Sequence, residues 1–179
     1  SITQQPAVVD LEVLLPAVGR NVTQGRVVGH LGDKEIITIL GACGSRPNAV
    51  QRLWETMPDA PRPEACEALG NHHETDSLHQ HVDVRMARGM FGFSGTGTPS
   101  GDAGSMLWAR MPGVHHDAGA LAIIADYMPS ALGNALGQVT HCTSIDNTIR
   151  FADLCDSEWV LCDNRIEYIG NGFGYGTVN

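Results

Sequence analysis

The sequence predicts an α+β fold, with antiparallel strands in both halves of the chain and one helix, in the second half. Three observations lead there. Residues 6–43 hold three Val/Ile/Leu-rich segments separated by glycine-containing turns. Residues 118–132 repeat apolar side chains at spacings of three and four, as on a helix that buries one face. Beyond residue 139 the pattern returns to strands.

Segments 7–15, 21–31 and 35–43 read as a meander, joined at Gly19-Arg20 and Gly32-Asp33-Lys34. One face of such a meander is apolar, and three strands alone are marginal. A further N-terminal element or a partner is therefore expected to bury it. Pro47, Pro58, Pro61 and Pro63 exclude regular structure over most of 47–80, which reads as a stiff connector. Its end is rich in histidine: His72, His73, His79 and His81. None of these stands in an HxxxH pattern, or in HxH with a carboxylate, on a recognisable element, so no metal site is expected. Strands at 81–88 and 105–111 flank a Gly/Ser/Thr loop at 91–104. That loop lacks the Lys-Ser/Thr ending of a P-loop.

The helix is read at about 115–136. Ala118, Leu121, Ala125, Met128 and Leu132 form its stripe, and Gly133 and Gly137 stop it. Between Ala118 and Ile145 the only formally charged side chain is Asp126. A carboxylate in so apolar a run is costly to desolvate unless a neighbour uses it or hydrogen-bonds it. Segment 139–151 alternates as a strand, with Ser144 and Asp146 opposite Val139, His141, Thr143 and Ile145. Strands at 158–168 and from 173 follow, and the two halves suggest a duplicated unit. An acid on a helix that turns directly into a hydroxyl-bearing strand is a layout for activating water.

Composition narrows the partners. The 179 residues suit one ordinary domain or two small ones, and 42% hydrophobic with 17% charged is ordinary globular usage. A net charge of −9 argues against nucleic acid and anionic membrane as partners. No apolar run reaches the roughly 18 residues of a membrane span, and no signal peptide is expected from these residues. Five cysteines (Cys43, Cys66, Cys142, Cys155 and Cys162), odd in number and without a CxxC pair, read as reduced thiols in a cytoplasmic protein. Cys142 and Cys162 fall at strand positions as small core residues, and Trp108 and Trp159 read as packing anchors. Ser1 in place of an initiating Met suggests a processed or incomplete chain.

Over LWARMPGVHHDAGALAIIADYMPSAL (107–132), TSIDNTIRF (143–151) and EWVLCDNRIEYIGNGFGYGTV (158–178), the chain resembles the acyl-CoA thioesterase II family. The similarity extends to VDLEVLLPAVGRNVTQGRVVGHLGDKEIITILGACG and to the Met-Pro linker WETMPDAPRPE, so it covers nearly the whole chain. It implies a double hotdog, in which each unit is a curved antiparallel sheet wrapped around a central helix. Residues 1–46 would be a partial first unit, 47–80 the interdomain linker, and 81–179 the second unit with the helix at about 115–136. The family's first strand and helix, and a last strand carrying a catalytic Gln, have no counterpart in these residues.

The activity implied by the resemblance is hydrolysis of fatty acyl-CoA to free acid and CoA, with no cofactor and no metal, in a homo-oligomer. The family's catalytic Asp falls on Asp126 and its catalytic Ser/Thr on Ser144. Ser144 would orient the attacking water, with Thr143 beside it as a substrate-binding residue. Backbone N–H groups from Gly113 to His116, near the helix start, are candidates to polarise the thioester carbonyl. No GxSxG elbow supports a covalent serine route. Other readings stay open. Asp126 suits a cap for a turn starting near Pro129, Ser144 a strand hydroxyl, Asp146 an ion pair with Arg150 or Arg165, and His115 and His116 the flank of the helix start. The competing functions are a hotdog enoyl-thioester hydratase or dehydratase, which wants a histidine beside the acid, and a non-catalytic acyl-CoA-binding module.

Overall fold

Alternating apolar residues in the first third of the chain do form strands. A computed structural model describes residues 7–47, 50–70, 77–154 and 156–179; His72, His73 and Cys155 lie outside the described residues. The chain divides into two compact units, Ser1–Thr56 and Met57–Asn179. The first is an antiparallel sheet of β1 (Asp10–Val18), β2 (Val22–Leu31) and β3 (Lys34–Gly44) in that order. Val13 pairs with Val27, and Val27 with Ile39, so the side-chain period of two puts them on one face with Leu11 and Ile37. Gly29 sits between Leu11 and Ile37, where a Cβ would come within 2.5 Å of the Ile37 methyl. Leu11, Val13, Ile37 and Ile39 are all exposed within the described residues.

The second unit is a five-stranded antiparallel sheet in the order β10-β9-β8-β5-β4. Its strands are β4 (Glu67–Leu69), β5 (Asp83–Arg88), β8 (Gly104–Arg110), β9 (Val160–Gly170) and β10 (Phe173–Val178). Between β5 and β8 lies a short hairpin of β6 (Met90–Phe91) and β7 (Thr96–Gly97). Val84, Met86, Leu107, Ala109 and Cys162 point inward and close the core with Ala120, Ile124 and Tyr127 of the helical segment. Outward-facing Trp108 donates from Nε1 to the Pro61 carbonyl at 2.8 Å. The guanidinium carbons of Arg85 and Arg110 lie 4.9 and 4.3 Å from the centre of the Trp159 ring. Glu67–Leu69, inside the stretch expected as connector, is thus the edge strand of this sheet, paired with β5.

Two expectations are corrected. The helix begins at Ala118, capped by the Asp117 carboxylate on Ala120 N–H at 2.9 Å, and it is not continuous to 136. It runs as α1 (Ala118–Ala125), a 3₁₀ turn at Met128–Ser130, and α2 (Ala131–Leu136), ending at Gly137 with φ of 65°. Pro129 causes the break: it has no N–H for the Ala125 carbonyl, and its ring crowds the preceding turn. The second correction concerns 139–151, where no strand forms. Alternation makes a strand only where a ladder partner exists, and among the described residues none pairs with this segment. Cys142 in it is exposed rather than part of the core.

The loop before β8 is tied to α2 by a buried amide. Asn134, 2% exposed, accepts from the N–H groups of Met90 and Ser100 at 3.1 and 2.9 Å. It donates to the Gly104 carbonyl at 2.9 Å and the Ser100 hydroxyl at 3.0 Å. Beside it Gly92 and Gly133 meet so closely that a Cβ on Gly133 would lie 2.2 Å from Gly92 Cα. Asp102, on the same loop, is held down to about 2 by hydrogen bonds from Gly104 N–H, Ser100 and Arg88. Asn134→Ala leaves several buried partners unsatisfied. It is expected to lower the unfolding free energy of the second unit by about 2–4 kcal/mol in urea titrations followed by tryptophan fluorescence.

Candidate functional site

The break in the helix sets the site. Asp126 is the C-cap of α1, with φ and ψ of −77° and 6°. The turn tightens there: Asp126 N–H donates to Ile123 C=O at 3.3 Å, and Tyr127 N–H to Ile124 C=O at 3.2 Å. The carboxylate therefore leaves the apolar stripe and projects from the end of the helix, exposed. This corrects the expectation that the helix desolvates it. Tyr127, next in sequence, turns inward. It is buried, and its hydroxyl lies 2.9 Å from His79 Nδ1. Burial pushes that phenol well above its usual range.

Ser144 Oγ donates to Asp126 Oδ1 at 2.8 Å, and Asn147 Nδ2 donates to the same oxygen at 2.9 Å. Neither contact needs a β-ladder. The chain after α2 is held on the β6–β7 hairpin by Thr140 N–H to Gly92 C=O at 3.0 Å, and on the helical segment by the Cys142 thiol on the Pro129 carbonyl at 3.4 Å and by these two donors. The Asp126 side chain does not cap the next turn: the 3₁₀ segment at Met128–Ser130 has Tyr127 as its N-cap, without a side-chain bond. Among the described residues no donor reaches Asp126 Oδ2. The Cys142 thiol is raised by burial and then by the Asp126 charge, which places it beside the same carboxylate.

The other expected residues divide. Thr143 is exposed next to Ser144, with no bond to Asp126 among the described residues. Gly113 and His116 lie at the opposite end of α1, whose eight residues span about 12 Å. The structure therefore does not bring their N–H groups together with Asp126. Gly113 has φ of 76° behind Pro112, and Val114 N–H bonds Met111 C=O at 3.1 Å, so a type II turn accounts for this glycine. His116, 4% exposed, accepts from Met111 N–H through Nε2 at 3.2 Å. Both line a cavity of about 330 Å³ with Arg110, Val114 and Glu158. Among the described residues no group of three or more His, Cys, Asp or Glu side chains gathers as a metal site. Asn147 was not anticipated from the sequence. Its only signal there is a short polar side chain three positions after Ser144, meaningful once the segment is known not to be a strand.

Residues 63–179 match the family model described as the acyl-CoA thioesterase C-terminal domain. The chain belongs to the acyl-CoA thioesterase family. Among solved structures, a Novosphingobium aromaticivorans protein assigned as a thioesterase is 30% identical, with a TM-score of 0.81 over 96% of this chain and 66% of its own. An Alicyclobacillus acidocaldarius protein of unknown function with a hot dog fold is 18% identical, with a TM-score of 0.71 over 94% and 65% of the two chains. An acyl-CoA thioesterase II from Mycobacterium marinum is 17% identical, with a TM-score of 0.58 over 94% and 65%. No curated protein matches. The chain thus spans just under two thirds of the length of these relatives, and its fold is the α+β hotdog, an antiparallel sheet packed on a central helical segment. Among the described residues no helix is long and apolar enough to cross a membrane.

Cys142 provides a probe of the Asp126 carboxylate. Its thiol lies above the ordinary 9.0, so its thiolate is scarce below that pH and labelling by a maleimide keeps accelerating beyond it. At pH 8 it is therefore expected to be labelled slowly. Asp126→Asn removes the charge that opposes thiolate formation, so the Cys142 rate at that pH rises. An unchanged rate would separate the thiol from the carboxylate.

Proposed function

We propose that the protein is a hydrolase of acyl-CoA thioesters in which Asp126 activates water. The observation that carries this reading is the bond from Ser144 Oγ to Asp126 Oδ1 at 2.8 Å, joining residues eighteen apart at the broken end of the helix. With Oδ1 engaged, Oδ2 keeps its lone pairs for a water proton. The Ser144 hydrogen is committed to Asp126, so its oxygen serves that water as an acceptor. Both water hydrogens are then held and its lone pair is free to attack the thioester carbon. Attack forms the C–O bond and passes one proton to Oδ2. Collapse of the tetrahedral intermediate breaks the C–S bond, and the proton leaves with the CoA thiol.

The hydratase reading has less support, because the side chains bonded to Asp126 are a serine and an asparagine, not a histidine. Assembly as a homo-oligomer is supported by the exposed apolar face of the first sheet, and a cytoplasmic setting by free Cys43, Cys66, Cys142 and Cys162. The test is CoA-thiol release from short, medium and long acyl-CoAs. Asp126→Asn is expected to lose about 10²-fold or more in kcat, and Ser144→Ala about tenfold or more, with KM little changed. Full turnover in Asp126→Asn would remove this site from the reaction. Binding without turnover in the parent would make the protein an acyl-CoA-binding module.

A further inference from the structure

The geometry points to Asn147 as a second positioning residue of the reaction, the one that fixes the plane of the Asp126 carboxylate. This rests on the reading of Asp126 as the base. A carboxylate held by one hydrogen bond can still turn about its Cβ–Cγ axis and exchange its two oxygens. Two donors on one oxygen remove that freedom. Ser144 Oγ and Asn147 Nδ2 both reach Oδ1, at 2.8 and 2.9 Å, which occupies both of its lone-pair directions. Oδ2 is thereby singled out as the atom that takes the proton, in a fixed direction relative to Ser144 Oγ.

The two donors also explain how an irregular segment holds a site without strand pairing. Ser144 and Asn147 are exposed and lie three apart in a stretch with no ladder, so packing contributes little to their placement. Their common acceptor is what aligns them. The two side chains are not redundant. The serine oxygen remains an acceptor for the water, whereas the Asn147 Nδ2 that faces Oδ1 can only donate. Asn147 therefore acts through Asp126 and does not require contact with the substrate.

Asn147→Ala, Asn147→Asp, Ser144→Ala, the Ser144→Ala/Asn147→Ala double variant and Asp126→Asn would be compared in the full-length chain. The readouts are kcat and KM for acyl-CoA across pH, together with side-chain amide NMR. Asn147→Ala is expected to lower kcat about 10- to 50-fold, with KM within about twofold and the melting temperature unchanged. The double variant should lose less than the product of the two single losses, because both side chains act on one carboxylate. Asn147→Asp puts a second carboxylate against Oδ1. The acid limb of kcat/KM then moves to higher pH, which a merely structural role would not produce. In the parent, the Asn147 amide resonances are expected to move as pH is lowered until the Asp126 carboxylate is protonated, and to stay still in Asp126→Asn. That readout does not depend on turnover. If Asp126→Asn abolishes turnover while Asn147→Ala keeps kcat within twofold, the inference fails and the reading of the base stands. If Asp126→Asn turns over normally, the base reading fails and this inference with it. Amide resonances insensitive to pH in the parent overturn the inference by themselves.

Discussion

Pro129 is the constraint on which the rest depends. An uninterrupted helix from 118 to 136 would keep Asp126 within a run of apolar side chains, where a carboxylate is costly to hold. Without an N–H at position 129, the helix ends one turn before that position, at Ala125. The residue after that end leaves the stripe, and Asp126 is that residue. The same break turns Tyr127 inward, where its ring joins the core beside Ile124 while its hydroxyl meets His79. One missing donor thus sorts two adjacent residues, the acid to the surface and the phenol to the interior.

A broken helix is a weak support unless its second half is held, and the sequence supplies two devices for that. Gly92 and Gly133 let backbones touch where any side chain would collide. Asn134, one residue on, binds the loop between β5 and β8 through four strong contacts to Met90, Ser100 and Gly104. Buried amides of this kind are stabilising only when every group is satisfied, and here donors and acceptors are matched. The result is a fixed platform from Ser130 to Leu136. From its neighbouring carbonyls at Pro129 and Gly92, the following chain is hung by Cys142 and Thr140.

How far the fold was readable follows from which residues carried local information. The three strands of the first unit were readable because alternation and Gly turns act within a few residues, and Val13, Val27 and Ile39 need only each other to register. Asp126 and Ser144 came from the resemblance and from an acid isolated in an apolar run. Segment 139–151 misled because alternation reports what a strand would bury, not whether a partner is present. Gly113 and His116 stand at the other end of α1 from Asp126, a separation that proximity in sequence to a helix start does not reveal. Asn147 was hidden because its partner lies twenty-one residues away, across an irregular path.

On the proposed reading of Asp126 as the base, its exposure has a mechanistic consequence. Open to bulk solvent, a carboxylate shares its lone pairs among many waters, and none of them is held for attack. Two donors on Oδ1 reduce the problem to the geometry of Oδ2, but they do not exclude water. Exclusion must come from what covers the helix end during the reaction. A thioester is suited to that task, since its acyl chain and the pantetheine arm carry apolar surface on both sides of the reacting carbon. Placed over Asp126 and Ser144, such a substrate displaces bulk water and leaves the one held between them. In that arrangement the protein contributes orientation and the substrate contributes desolvation.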